Sequence, residues 1–163
     1  MSTIELKPIG YIEHNIPDEL IAKTFKKFMA KVVVYTEYKD GLKGLDEFSH
    51  IVLISYLPRA KRESLQIKPL EPKIKANNLK IETNILTVGI FSTCAQYRPN
   101  PIGLSVVKLL KIQDNTIIIN GCDLYNKTLI LDIKPYIYTV SEEVRIAEWR
   151  KRMLEYIRTL NLE

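Results

Sequence analysis

Between Ile85 and Ile137 the chain repeats one pattern: an apolar run rich in β-branched residues, a polar connection, and another such run. The runs are Ile85 to Phe91, Leu104 to Ile112, Thr116 to Ile119 and Leu129 to Ile137. Branching at Cβ restricts χ1 and suits a pleated surface better than a helix. Asp114-Asn115 separates the second and third runs and reads as a hairpin turn. The connections carry no helical periodicity, and parallel strands would need crossovers of about a dozen residues or more. The expected fold is therefore mainly β, an antiparallel sheet or barrel. Val32 to Tyr35 and Ile51 to Tyr56 supply two further strands, and the alternation in Ile4-Glu5-Leu6-Lys7 predicts another.

Two stretches depart from this pattern. Asp18 is placed to cap a short helix over Glu19 to Met29, with Leu20, Ile21, Phe25 and Phe28 near one face. In the tail, Ser141 is an N-cap candidate followed by Glu142 and Glu143, which suit the positive end of a helix dipole. Ile146, Trp149, Met153, Tyr156, Ile157 and Leu160 then recur at helical steps. The expected organisation is one β domain over 1–140 and an amphipathic helix over 141–163, packed on that domain or on the partner of a homodimer.

The 163 residues suffice for one domain with a sizeable core. No apolar run approaches the roughly 20 residues of a membrane span. Met1 to Pro8 lacks a secretory pattern, so a soluble, cytoplasmic protein is expected. Cys94 and Cys122 have neither metal-ligand nor redox-motif spacing and read as free thiols, and two isolated histidines, His14 and His50, give no metal site. The net charge of +5 is concentrated. Arg59, Lys61, Arg62, Lys68, Lys73, Lys75 and Lys80 face only Glu63 and Glu71, which accounts for the whole surplus. With its prolines and asparagines this segment reads as a long loop, and its charge suits a polyanion such as RNA.

The most distinctive connection is Arg98-Pro99-Asn100-Pro101. Each proline fixes its own φ and keeps the preceding residue, Arg98 or Asn100, out of the helical region. A rigid extended turn between strands holds a guanidinium and an amide in place, as a site or as a plain connector. No Gly-x-Gly-x-x-Gly turn or strand–helix alternation marks a doubly wound nucleotide fold.

Residues 98–105, Arg-Pro-Asn-Pro-Ile-Gly-Leu-Ser, resemble the signature of the TsaA/TrmO-type family. Gly41-Leu42-Lys43-Gly44-Leu45-Asp46-Glu47-Phe48-Ser49-His50 resembles its "GL…L…FSH" motif, and Asp123-Leu124 with Leu131-Asp132-Ile133-Lys134-Pro135-Tyr136 its "DL…LDIKPY" motif. The three stand in the family's order and the resemblance spans roughly residues 3 to 139. It implies a β-barrel core, S-adenosylmethionine as cofactor, and methylation of N6 on a (threonylcarbamoyl)adenosine beside the tRNA anticodon. It implies cofactor contacts at Cys94, Arg98, Leu104, Leu124, Tyr125, Asn126 and Lys127, and it places Asn100 and Asp132 as catalytic candidates, with Asp123 a second carboxylate. It further implies a homodimer, with tRNA reached by Arg59 to Lys80.

The chain departs from the family at the loop resembling "DGTP", which reads Asn126-Lys127-Thr128-Leu129, and at three further places. Cys94 stands where an Arg is usual, Pro58-Arg59 where His-Gln is usual, and no Pro-Arg-Gln occurs between Glu13 and Lys31. These departures keep a second reading open, a non-catalytic RNA-binding barrel that no longer takes the cofactor. A methyltransferase acting on another substrate is the third.

Overall fold

The computed structural model describes residues 3–23, 27–57, 64–69, 87–137 and 144–159. Six antiparallel strands close into a barrel: β1 (Gly10–Glu13), β2 (Phe28–Val34), β3 (His50–Tyr56), β6 (Ile102–Gln113), β7 (Thr116–Cys122) and β8 (Leu129–Pro135). Their order around the barrel is β1-β2-β7-β6-β3-β8, with β8 returning to β1. Two short strands, β4 (Gln66–Ile67) and β5 (Val88–Gly89), pair outside it. The helices are α1 (Asp18–Lys23) and α2 (Glu148–Thr159), and 3-10 turns cover Thr36–Leu42, Leu45–Glu47 and Ile90–Ser92.

Alternation along the strands builds the core. Ile12, Val32, Val34, Ile51, Leu53, Val107, Ile117, Ile119 and Ile130 point inward and are at most 1% exposed. Each such side chain contributes about 1.5–3 kcal/mol on burial. The β6–β7 hairpin turns on Asp114, at φ 56°. Asn115 then ties this turn to the end of β2: its Nδ2 donates to Val34 O at 2.7 Å and its carbonyl accepts from Val34 N at 2.9 Å.

Several elements differ from the sequence expectation. Helix α1 spans only Asp18–Lys23, and β2 begins at Phe28, because residues 28–33 pair with β7 and 31–34 with β1. Ile4 to Lys7 alternates but forms no strand, and Ile4 is 81% exposed. Of the described part of the run from Ile85, which begins at Thr87, only Val88–Gly89 forms a strand, on β4 and not in the barrel, before the chain turns into the 3-10 segment at Ile90. Val144 to Ala147 is irregular, and α2 starts at Glu148 with Ala147 O accepting from Arg150 N and Lys151 N. Ser141 lies outside the described residues, as does all of Arg59 to Lys80 except 64–69.

One contact inside the barrel fixes where β6 enters it. Ser55 on β3 pairs in register with Gly103 on β6, both facing inward. A Cβ on Gly103 would sit 2.5 Å from Ser55 Oγ and 3.1 Å from Leu57 Cδ1. Ser55 Oγ is fully buried with no hydrogen-bond partner among the described residues. Gly103→Ala is therefore expected to cost about 1–3 kcal/mol through overpacking. Ser55→Ala removes an unpaired hydroxyl and is expected to be near neutral. In the double variant most of the loss returns. Urea unfolding of the four proteins checks this; strictly additive losses would contradict the contact.

Candidate functional site

The strand directions distribute the three sequence motifs unequally between the two barrel ends. One end carries the connections leaving β3, β7 and β1: residues 57–101, 123–128 and 14–27. The other carries the 3-10 segment 36–47 and the β6–β7 turn. Arg98, Asn100, Leu104 and the 124–127 loop thus share the first end.

The turn before β6 is held from within. Arg98 Nη1 donates to Thr93 O at 2.7 Å and Ile90 O at 3.2 Å, and its guanidinium lies 5.7 Å from the Phe91 ring centre. Thr93 Oγ1 donates to Ile90 O and accepts from Ala95 N. Asn100 O accepts from Ile102 N, and Pro101 O accepts from Leu57 N at 2.7 Å, locking the turn to the end of β3. Arg98 thus spends Nη1 on carbonyls of the turn, while Asn100 is exposed.

Beyond the turn, Ile102, Leu104 and Val106 point outward from β6, and Leu104 is 69% exposed. It pairs with Ile54 on β3, which pairs on its other side with Asp132 on β8. Leu104, Ile54 and Asp132 therefore form a row on the outer face, with Leu104 and Asp132 about 10 Å apart by strand spacing. The Asp132 carboxylate is engaged: Lys134 Nζ lies 2.7 Å from Oδ2, and Ile133 N donates to Oδ1 at 2.9 Å. Asp123 accepts from Ser105 Oγ at 3.1 Å, which continues the β6–β7 pairing and brings the start of the 124–127 loop beside Leu104.

His14 positions that loop. Its Nε2 lies 3.0 Å from Leu124 O while Nδ1 accepts from Ile16 N, so Nε2 carries the proton. Its backbone N donates to Asn126 Oδ1 at 3.1 Å, and its ring packs edge-on to Phe28. Lys127 takes φ 65°, a left-handed conformation unusual outside glycine and asparagine. Its Nζ rests 4.2 Å from the Tyr11 ring centre and 3.9 Å from Glu13. Leu124 is buried, so it presents only main chain, whereas Asn126 and Lys127 lie at the surface. Sequence reasoning placed His14 in a loop and missed this anchoring role. A histidine between strand and turn carries no local signal of a partner more than 100 residues away.

An exposed apolar side chain on a rigid strand, beside a loop fixed through its main chain, fits an adenosyl group: a flat apolar support next to backbone hydrogen-bonding groups. Two cavities of about 550 and 570 Å³ lie around the 36–48 segment, and the first extends to Asp132. The first is lined by Tyr38, Leu42, Leu45 and Phe48, with Glu37, Lys43 and Asp132. Among the described residues no cluster of three or more His, Cys, Asp or Glu side chains is placed to hold a metal ion, and no helix is long and apolar enough to cross a membrane.

A family model described as the tRNA-methyltransferase O N-terminal domain matches residues 13–142. The chain belongs to this family. A protein of Pyrococcus abyssi named "Probable S-adenosyl-L-methionine-binding protein" is 36% identical over 153 residues, covering 90% of this chain and 77% of its own. A Methanocaldococcus jannaschii protein of the same description is 37% identical over 131 residues, covering 79% and 89%. The mouse tRNA (adenine(37)-N6)-methyltransferase is 28% identical over 139 residues, with 80% of this chain matching 30% of that one. The crystal structure of TrmO superposes with a TM-score of 0.65 at 24% identity, over 99% of this chain and 77% of that one, a likeness of fold. The TrmO-family barrel expected from the three motifs is therefore the one observed.

The two thiols differ sharply. Cys94 is exposed beside the signature turn, while Cys122 is buried in the core and burial pushes its pKa up to about 11. Ellman's reagent at neutral pH is expected to titrate one thiol in the folded protein and the second only on unfolding. Because the folded pKa of Cys122 is raised, its contribution to stability is complete below pH about 9 and is lost as pH rises towards 11. Rapid reaction of both thiols in the native state would contradict the burial.

Proposed function

We propose that this TrmO-family chain transfers the methyl group of S-adenosylmethionine to N6 of a (threonylcarbamoyl)adenosine beside the anticodon of tRNA. Family membership makes it an S-adenosylmethionine-dependent tRNA methyltransferase. The mouse relative, named for N6 of adenine 37, supports the choice of nucleotide. The observation that carries the reading is the shared barrel end, where Asn100, exposed Leu104 and the loop anchored by His14 stand together.

The bound cofactor supplies an electrophilic methyl group on sulfur. Leu104 supports the adenine ring, and the main chain of 124–127 holds polar groups of the cofactor. Cys94, exposed at the turn, borders this site without adding charge. Arg98 acts through the turn, by keeping its carbonyls in place. In-line displacement at a methyl carbon gains most from alignment, which a turn locked by two prolines and four hydrogen bonds supplies. The Asn100 amide orients the substrate amine. Asp132, on the same outer face, accepts the proton that the amine loses, with Lys134 holding the carboxylate.

The apolar outer face of β3 and β6 supports a homodimer. Tyr56, Ile102, Leu104 and Val106 are each 37% exposed or more. A second copy seated there would cover the open side of the Leu104 site.

tRNA from a strain lacking this protein, incubated with the purified protein and labelled S-adenosylmethionine, is expected to gain a methyl group on the modified adenosine, read by nucleoside mass spectrometry. Asn100→Ala and Asp132→Asn are each expected to lower kcat by about 10- to 100-fold with little change in cofactor affinity. No transfer to tRNA by the wild type would refute the substrate, and wild-type turnover in both variants would refute the roles.

A further inference from the structure

The barrel wall that adjoins the proposed site through β6 is basic in a way that its strands make rigid. β2, β7 and β6 are consecutive neighbours, and together they contain Lys31, Lys108 and Lys111 but not one Asp or Glu. All three lysines are exposed on the outer surface. Lys31 and Lys111 both pair with Ile118, which sets them on either side of one strand, about 10 Å apart. Lys108 sits in the next row, where it, Asn120 and Met29 face one another across the same three strands. Lys27 precedes β2, with its chain passing over Gly121. Glu13, at the margin on β1 and in register with Lys31, is shared between Lys31 at 3.6 Å and Lys127 at 3.9 Å. Asp114, at the hairpin tip, is already paired with Lys39.

We infer that this wall, centred on Lys31, Lys108 and Lys111, is a docking surface for the sugar-phosphate backbone of the tRNA substrate. The inference rests on the tRNA reading above and is separate from the basic 59–80 segment. Three ammonium groups on paired strands, spaced by strand geometry and met by one carboxylate, Glu13 at the margin, form a fixed, net positive field that suits phosphates. Asn120 and Gln113 add uncharged hydrogen-bonding groups on the same strands, suited to phosphate and ribose oxygens. An acidic protein would meet the same charge, but the apolar groups on these rows, Met29, half-buried Ile118 and Leu110 at the β6 irregularity, are interspersed among lysines and do not form a continuous apolar core. The outer face of β6 thus divides: Ile102, Leu104 and Val106 towards the signature turn are apolar, and Lys108 and Lys111 beyond them are cationic. A single strand would connect the methyl-transfer site to the RNA-bearing wall.

The test measures binding of an unmodified tRNA transcript over a salt series for the full-length wild type, a Lys31→Gln/Lys108→Gln/Lys111→Gln variant, and the corresponding triple Lys→Arg variant. Thermal melting and S-adenosylmethionine titration run alongside. The Gln variant is expected to bind tRNA at least about tenfold more weakly, with a salt slope shallower by about 2–3. Its melting and cofactor affinity remain unchanged, and the Arg variant binds as the wild type does. A Gln variant with the wild-type slope and affinity overturns the wall as a phosphate surface while leaving the tRNA reading intact. A wild type that binds no tRNA at any salt overturns both. Unchanged tRNA binding with lost binding of a poly-glutamate peptide would assign the wall to an acidic protein instead, and overturns the RNA inference.

Discussion

The structure depends on the closure of its sheet between β1 and β8. The direct register is short, Gly10 with Ile130 and Tyr11 with Leu129, but the chain reinforces it on both sides. Ile9 N donates to Ile130 O, Ile12 N to Thr128 O, and Lys127 N to Ile12 O, all within 2.9 Å. Closure removes the sheet edges that would otherwise expose unpaired backbone. It also buries Ile12 and Ile130 completely, linking the first strand to the last across the core. Gly10 permits the neighbouring approach of β2, because any Cβ there would strike the carbonyl of Val33.

The same closure makes the site. By seating β1 against β8 it carries His14 to Leu124 and Asn126, so the loop between β7 and β8 is fixed by a residue from the start of the chain. The second fixed piece is the turn before β6, bound by Arg98 and by the Leu57–Pro101 hydrogen bond and seated where Gly103 meets Ser55. Leu104 lies between the two. Neither piece needs a nucleotide-binding helix, so a barrel without a Gly-rich turn can present a cofactor platform through backbone and one exposed apolar side chain.

How much of this could be read beforehand varies by element. β3, the β6–β7 hairpin and β8 were legible because their apolar runs are rich in β-branched residues and bounded by polar connections. The 3-10 segment from Thr36 to Glu47 was not, since Gly41, Gly44 and scattered charges resemble an ordinary turn. Phe28 and Met29 read as the end of a helix because three- and four-residue spacing is ambiguous over one or two turns, and only pairing with β7 decides it. Of the candidate site, Asn100, Leu104 and the 124–127 loop were singled out through the motifs they belong to, not through composition or periodicity, and the topology brings them to one barrel end. Arg98 was legible as important but not as a clamp on carbonyls five and eight residues before it. The lysine wall was invisible in the sequence, because Lys31, Lys108 and Lys111 become neighbours only through the register of three strands.

The central claim is that the cofactor binds at the barrel end bearing the 98–105 turn and the 124–127 loop. Hydrogen exchange with and without S-adenosylmethionine tests it most directly. The account predicts added protection in peptides covering 93–105 and 123–128, and little change over 36–48, beside the two cavities. Protection confined to 36–48, or none anywhere at saturating cofactor, would contradict it.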